Sequence, residues 1–333
     1  MLRWWLCLSV SLLLVFSACG DNAAGPPEEQ PPEDFPAKKA DSWVAPSGSG
    51  SNQVFGLQCP SGNEDRVYFW ISDLSENHDR LVCYANGYTQ SSPELPEGSG
   101  SHFAVIPQTG DVIYSSLEGS GTRVILASED LLTQAEFTTG ETVTGFIPML
   151  GGDKVLMCLG LNAVVLEIPS LSRVDTVLCT VSKGFSVEGY GTYGYSAEMI
   201  LKFDPATCQM TQNALTGSEC TPVISEEGRV FLLANGLLTI LEADDLSMVE
   251  FKATPSSSVF ALHPVGESVF LYTVSTGNTI DIYDLADLAW KGTVSGLTLT
   301  NPLDELISHP GMNELWGLTV NSQNRCEVFN ITP

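Results

Sequence analysis

His102-Phe-Ala-Val-Ile-Pro-Gln-Thr-Gly110, then Asp111-Val-Ile-Tyr-Ser115, then Thr122-Arg-Val-Ile-Leu-Ala-Ser128, then Glu129-Asp-Leu-Leu-Thr-Gln-Ala-Glu-Phe137 is the stretch that decides the fold. Four short β-prone runs follow one another, split by a Pro/Gly turn, a small polar loop and an acidic turn. Branched and aromatic residues suit a pleated surface. Pro presets φ and Gly permits positive φ, so Pro107 and Gly110 read as hairpin punctuation. The phrase returns as Val259-Phe-Ala-Leu-His-Pro-Val-Gly266, Ser268-Val-Phe-Leu-Tyr272, Thr279-Ile-Asp-Ile-Tyr283 and Asp284-Leu-Ala-Asp-Leu-Ala-Trp290.

Outward from these copies the first turn falls at Gly62, Gly110, Gly152, Gly228, Gly266 and Gly311, with a degenerate copy near Gly189. The second turn falls near Asn86, Asp130, Ser170, Pro205, Asp245, Ala286 and Asn330, in steps of about 35 to 44 residues. Seven units of four strands, with no sustained helical period after residue 50, predict an all-β, seven-bladed β-propeller of four-stranded antiparallel blades. A single blade cannot bury both faces, so the repeats must close into a ring. The last unit, ending Cys326-Glu-Val-Phe-Asn-Ile-Thr-Pro333, is one strand short. An open ring would leave unpaired edges. Residues near Trp43–Phe55 are therefore expected to supply the missing strand. The pattern resembles the YVTN-type and WD40-like propeller repeats of secreted bacterial proteins. It does so by turns and apolar positions, since the tyrosine-valine-threonine-asparagine signature is absent.

The N-terminus reads as an address. Arg3 precedes an apolar run of thirteen residues, Trp4 to Phe16, too short to span a bilayer as a settled helix. Val15-Phe16-Ser17-Ala18-Cys19 resembles the lipobox of bacterial lipoprotein signals, with Phe16 in place of the usual Leu. The resemblance implies a signal peptide over 1–18, diacylglycerol on the Cys19 thiol, and a chain held at the bacterial cell envelope. It points to the outer membrane, facing either the periplasm or the surface. Several acyl chains on one residue anchor durably, at about 0.8 kcal/mol per buried CH₂. Residues 19–50 carry six Pro and six acidic residues and read as a solvated linker, leaving 51–333 for the propeller.

Forty Asp and Glu stand against fourteen Lys and Arg, a net charge of -26, which excludes a clustered cationic surface for nucleic acid. With 43% hydrophobic residues and only 16% charged, the chain can still bury a core. Of nine Cys, seven follow the lipobox. Cys208 and Cys220 are the best-spaced candidate disulfide, worth about 3 kcal/mol by loop closure. Cys158, inside Val-Leu-Met-Cys-Leu, reads as a buried small hydrophobe.

No catalytic residue is assigned and no cofactor is called for, since GxSxG, HExxH and Walker patterns are absent. Gly189-Tyr-Gly-Thr-Tyr-Gly194 matches GxGxxG, but a strand-like run follows where a dinucleotide site needs a helix. Its tyrosines, Tyr190, Tyr193 and Tyr195, are a candidate ligand-binding loop for stacking on a sugar or gripping a peptide. His263 and His309 share one turn position in adjacent repeats and are weak candidates for a metal, each with a simpler role as a turn residue. Asp281, Asp284 and Asp287 read as strand edge and turn rather than a calcium loop. The expected function is a lipid-anchored binding module for a protein, peptide or glycan. Its alternatives are a lactonase-like propeller hydrolase with a metal in the central channel, and a scaffold subunit of an outer-membrane assembly.

Overall fold

The computed structural model describes residues 37–44, 52–60, 66–74, 77–85, 87–97, 102–187, 189–196, 199–215, 221–224, 228–234, 236–254, 259–265, 268–275, 278–297, 299, 301–309 and 312–332. They form seven antiparallel sheets and no helix. The first strands are Asn52–Gln58, Phe103–Val105, Gly145–Pro148, Lys183–Val187, Thr221–Ile224, Phe260–Val265 and Leu303–His309. First strands of neighbouring blades pack on one another, so they line the axis of the ring. The outer strands are Tyr88–Ser91, Thr133–Thr139, Ser172–Leu178, Met210–Leu215, Met248–Ala253, Trp290–Thr293 and, for blade seven, Lys38–Val44. Blade one carries an extra two-residue strand, Leu95–Pro96. The seven-bladed propeller read from the sequence is the fold observed.

The core explains why the strands read as continuous apolar runs. Successive side chains on a strand point to opposite sheet faces, and in this ring both faces are covered. In blade one Val67, Phe69 and Ile71 pack toward blade seven, with Trp316, Leu318 and Val328. The intervening Tyr68 and Trp70 pack toward blade two, with Val112, Tyr114 and Ile125. Trp70 meets Tyr114 edge-on at 6.0 Å and Phe103 at 6.2 Å. Seven such layers, one per blade interface, replace a single central core.

Two expectations shift. The ring is closed from the N-terminus, but by Lys38–Val44, which pairs antiparallel with Cys326–Thr332. Only Trp43 and Val44 of the expected segment belong to it; Asn52–Gln58 instead begins blade one. The propeller thus starts inside the stretch read as linker. No Pro falls between Pro36 and Pro46, and nothing in the intervening Lys38-Lys-Ala-Asp-Ser-Trp-Val44 bars an edge strand, where charged residues are favoured. The second turn of blade seven lies at Asn321–Asn324, while Asn330 sits within the strand Cys326–Thr332.

That second turn has a shared construction. A residue with φ of 54–59° closes it in six blades: Leu131, Leu171, Cys208, Leu246, Leu288 and Asn324. In blades three to six its N–H donates to the carbonyl four residues back, as from Leu246 to Glu242 at 2.9 Å and from Cys208 to Asp204 at 2.7 Å. The left-handed conformation is costly for Leu. Burial of the side chain at the interface with the preceding blade compensates, and Leu131, Leu171, Cys208 and Leu246 are all buried there. Cys208 therefore occupies a leucine position.

Candidate functional site

Charged and hydroxyl groups recur where blades meet. Arg66 and Tyr68 of blade one donate to the Glu129 carbonyl in blade two, at 3.1 and 2.9 Å. Lys154 donates to Ala206 O at 2.7 Å, and Lys252 to Ala286 O at 3.2 Å. Tyr193 and Lys202 converge on Ala243 O at 2.6 and 2.9 Å. Each caps the acidic turn of the following blade, a charge-assisted bond wherever the donor is a cation.

His263 and His309 end up on the first strands of blades six and seven, and both are buried. His263 Nε2 lies 3.1 Å from Asn313 Oδ1, and Nδ1 lies 2.8 Å from Ser308 Oγ. An amide oxygen only accepts, so Nε2 carries the proton and Nδ1 accepts from the Ser308 hydroxyl. Burial, with the nearby His309 adding to it, holds the His263 imidazole below its ordinary value, against the raising pull of Asn313. The ring is thus neutral at pH 7, joining blade six to two polar groups of blade seven. Among the described residues no group of three or more His, Cys, Asp or Glu is placed to hold a metal ion.

The three tyrosines do not share a loop. Tyr190 lies in the turn beside Gly189, and Tyr193 and Tyr195 lie in the strand Gly191–Tyr195. Tyr193 is fully buried, stacked on Phe185 at 5.4 Å, with its hydroxyl committed to Ala243. Gly194 is needed for packing, since a Cβ there would lie 2.5 Å from Val181 Cγ2. The next element is the strand Met199–Phe203, not a helix. Asp284 and Asp287 cap the turn amides of Ala286 and Ala289, each at 2.9 Å, and Asp281 accepts from the Thr293 hydroxyl. Cys19 and Cys220 lie outside the described residues, while Cys208 is a buried free thiol.

Two features carried no sequence signal. Near the channel, Lys183 of blade four acts electrostatically on both His102 of blade two and Glu305 of blade seven. Glu305 accepts from the N–H groups of Gly56 at 2.7 Å and of Leu57. Burial raises its carboxyl above the ordinary value, offset in part by those two amides and by Lys183. At the rim, the outer strand of blade five exposes Met248 (67%), Val249 (43%) and Phe251 (66%). Lys252 on the same strand reaches the blade-six turn, four residues before the exposed Trp290. This is an open sheet edge with apolar side chains, the kind of surface that takes an added strand or a protein partner.

The ring and its inter-blade contacts define a β-propeller. Among solved structures the chain is similar to the β-propeller domain of Myceliophteria thermophila Cps50 (Swd1), with a TM-score of 0.62, 11% identity, and coverage of 90% of this chain and 100% of that one. At that identity the likeness is one of fold. No family model matches the sequence, and no curated protein matches it.

Proposed function

We propose that this chain is a lipid-anchored, extracytoplasmic propeller that binds a protein partner through its rim. The observation carrying this reading is the exposed apolar edge Met248–Phe251 on a scaffold whose blade interfaces are otherwise filled. A net charge of -26 favours a partner whose docking segment is cationic as well as apolar. The lipobox-like run ending at Cys19 supports the anchor. Two measurements test the reading. The N-terminal peptide recovered from membranes should carry acyl mass on Cys19, and an unmodified Cys19 overturns the anchor. A photo-crosslinker on the blade-five edge should yield a single protein adduct in intact cells, and its absence overturns the surface.

A hydrolytic reading has one observation on its side. Ser308, His263 and Asn313 stand in the order nucleophile, base, orienting group. A fluorophosphonate probe should label Ser308 if the array is catalytic; an unlabelled protein leaves it as a joint between blades.

A further inference from the structure

Blade three holds two thiols face to face. Cys158 ends the strand Lys154–Cys158, and Cys179 directly follows the outer strand Ser172–Leu178. Their sulfurs are 4.0 Å apart, and both residues are fully buried. They belong to one apolar cluster with Leu156, Ala163, Val177 and Val181. The strand between them, Asn162–Glu167, presents Ala163 as the register partner of both Cys158 and Val177, a small residue where a larger one would fill the gap. The Cys179 backbone is fixed by its N–H to Leu161 O at 3.2 Å. Its thiol donates to Val181 O at 3.4 Å.

We propose that Cys158 and Cys179 are a disulfide-forming pair that staples the second strand of blade three to the end of its outer strand. The pairing expected from the sequence, Cys208 with Cys220, involves a residue outside the described ones and is independent of this pair, while Cys158 reads there as a buried small hydrophobe. Closing the pair requires the sulfurs to move from 4.0 Å to about 2.05 Å. Two S–H bonds break and one S–S bond forms. The oxidant is a protein or small-molecule disulfide: its S–S bond breaks, it takes up the two electrons and the two protons given up by the cysteines, and it leaves as two thiols. The step in the cell rests on the exported reading above, because an oxidising compartment must supply that oxidant.

The test has two arms that separate the pair from its compartment. In the first, the reduced, folded full-length chain is incubated with oxidised glutathione, then denatured, alkylated and digested with trypsin without reduction. Peptides 155–173 and 174–183 should appear joined and lighter by two hydrogens. The melting temperature should rise by about 5–10 °C over that of the reduced chain. A C158A/C179A variant should show no such rise. If both cysteines are still alkylated after denaturation, or Cys158 is joined to another cysteine, the pair is overturned. In the second arm the same digest is made on protein taken from the cell envelope with thiols trapped at lysis. The joined peptides there support the pair and its export together. Free thiols there, with joining in the first arm, keep the pair and overturn the export reading.

Discussion

Glu305 and Gly56 lie 249 residues apart in the chain, yet the Glu305 carboxylate accepts the Gly56 N–H at 2.7 Å and that of Leu57 beside it. The bond joins the first strands of blades seven and one, where the ring closes. It falls where the pairing register of Asn52–Gln58 shifts, so those two amides are withdrawn from the sheet ladder and need an outside acceptor. Gly56 holds φ of 73°, and a Cβ would meet Phe103 Cε1 at 2.9 Å.

Glu305→Ala should destabilise the fold by about 2–4 kcal/mol, since it strands two amide donors. Glu305→Gln, with one acceptor oxygen, should cost less. Denaturant unfolding reads both. The folded carboxyl is raised by burial, so its contribution is full below the unfolded value and is lost as pH rises through the folded one. Wild type should thus lose stability relative to Glu305→Gln across that rise.

Deleting residues 38–44 should lower the melting temperature of the whole ring in one cooperative step. The segment pairs along Cys326–Thr332 and covers an edge that would otherwise stand open. Deleting residues 20–30 is the matched control and should leave the transition in place. Equal melting temperatures for both deletions would show that closure does not depend on this strand.

The repeat was legible because both kinds of turn announce themselves chemically. Gly110, Gly152, Gly189 and Gly228 all take positive φ, as their place ahead of a second strand predicts. The closing strand was misplaced because Lys38 and Lys39 continue the polar composition of the linker, and an edge strand needs no apolar alternation. Tyr190–Tyr195 read as loop because glycine usually marks a turn. Gly189 does so, with φ of 83°, but Gly194 is there to admit its neighbours' side chains. Glu305 and Lys183 are single strand residues with nothing local to mark them. Ser308 and Asn313 lie 45 and 50 residues from His263, so only the ring brings them to it.

Gly145→Ala should destabilise by more than about 3 kcal/mol, as an overpacked site without room to relax. Its Cβ would lie 1.7 Å from the Ser182 carbonyl oxygen, where blade three's first strand runs beside the entry to blade four. Gly140→Ala, with nothing within 4 Å, should change stability by less than about 0.5 kcal/mol. Thermal melts of the two variants make the comparison.

His263 gives the joint between blades six and seven a pH dependence. Its folded value is depressed by burial, so the unfolded chain takes up the proton first as pH falls below about 6.5. Stability is full above that value and declines through the window beneath it. His263→Gln keeps an amide in place but does not titrate. Unfolding curves at pH 7.5 and 5.5 should show wild type losing more than the variant, and parallel losses would detach the effect from His263.

The most direct test of rim binding is an in-cell comparison of two equally exposed apolar positions on opposite parts of the ring. A photo-crosslinking residue replaces Phe251 on blade five, 66% exposed, or Leu132 on blade two, 70% exposed. One defined protein adduct is expected from position 251, lost when Val249→Asp is added, and none from position 132. The same diffuse adducts from both positions, unaffected by Val249→Asp, would contradict rim binding.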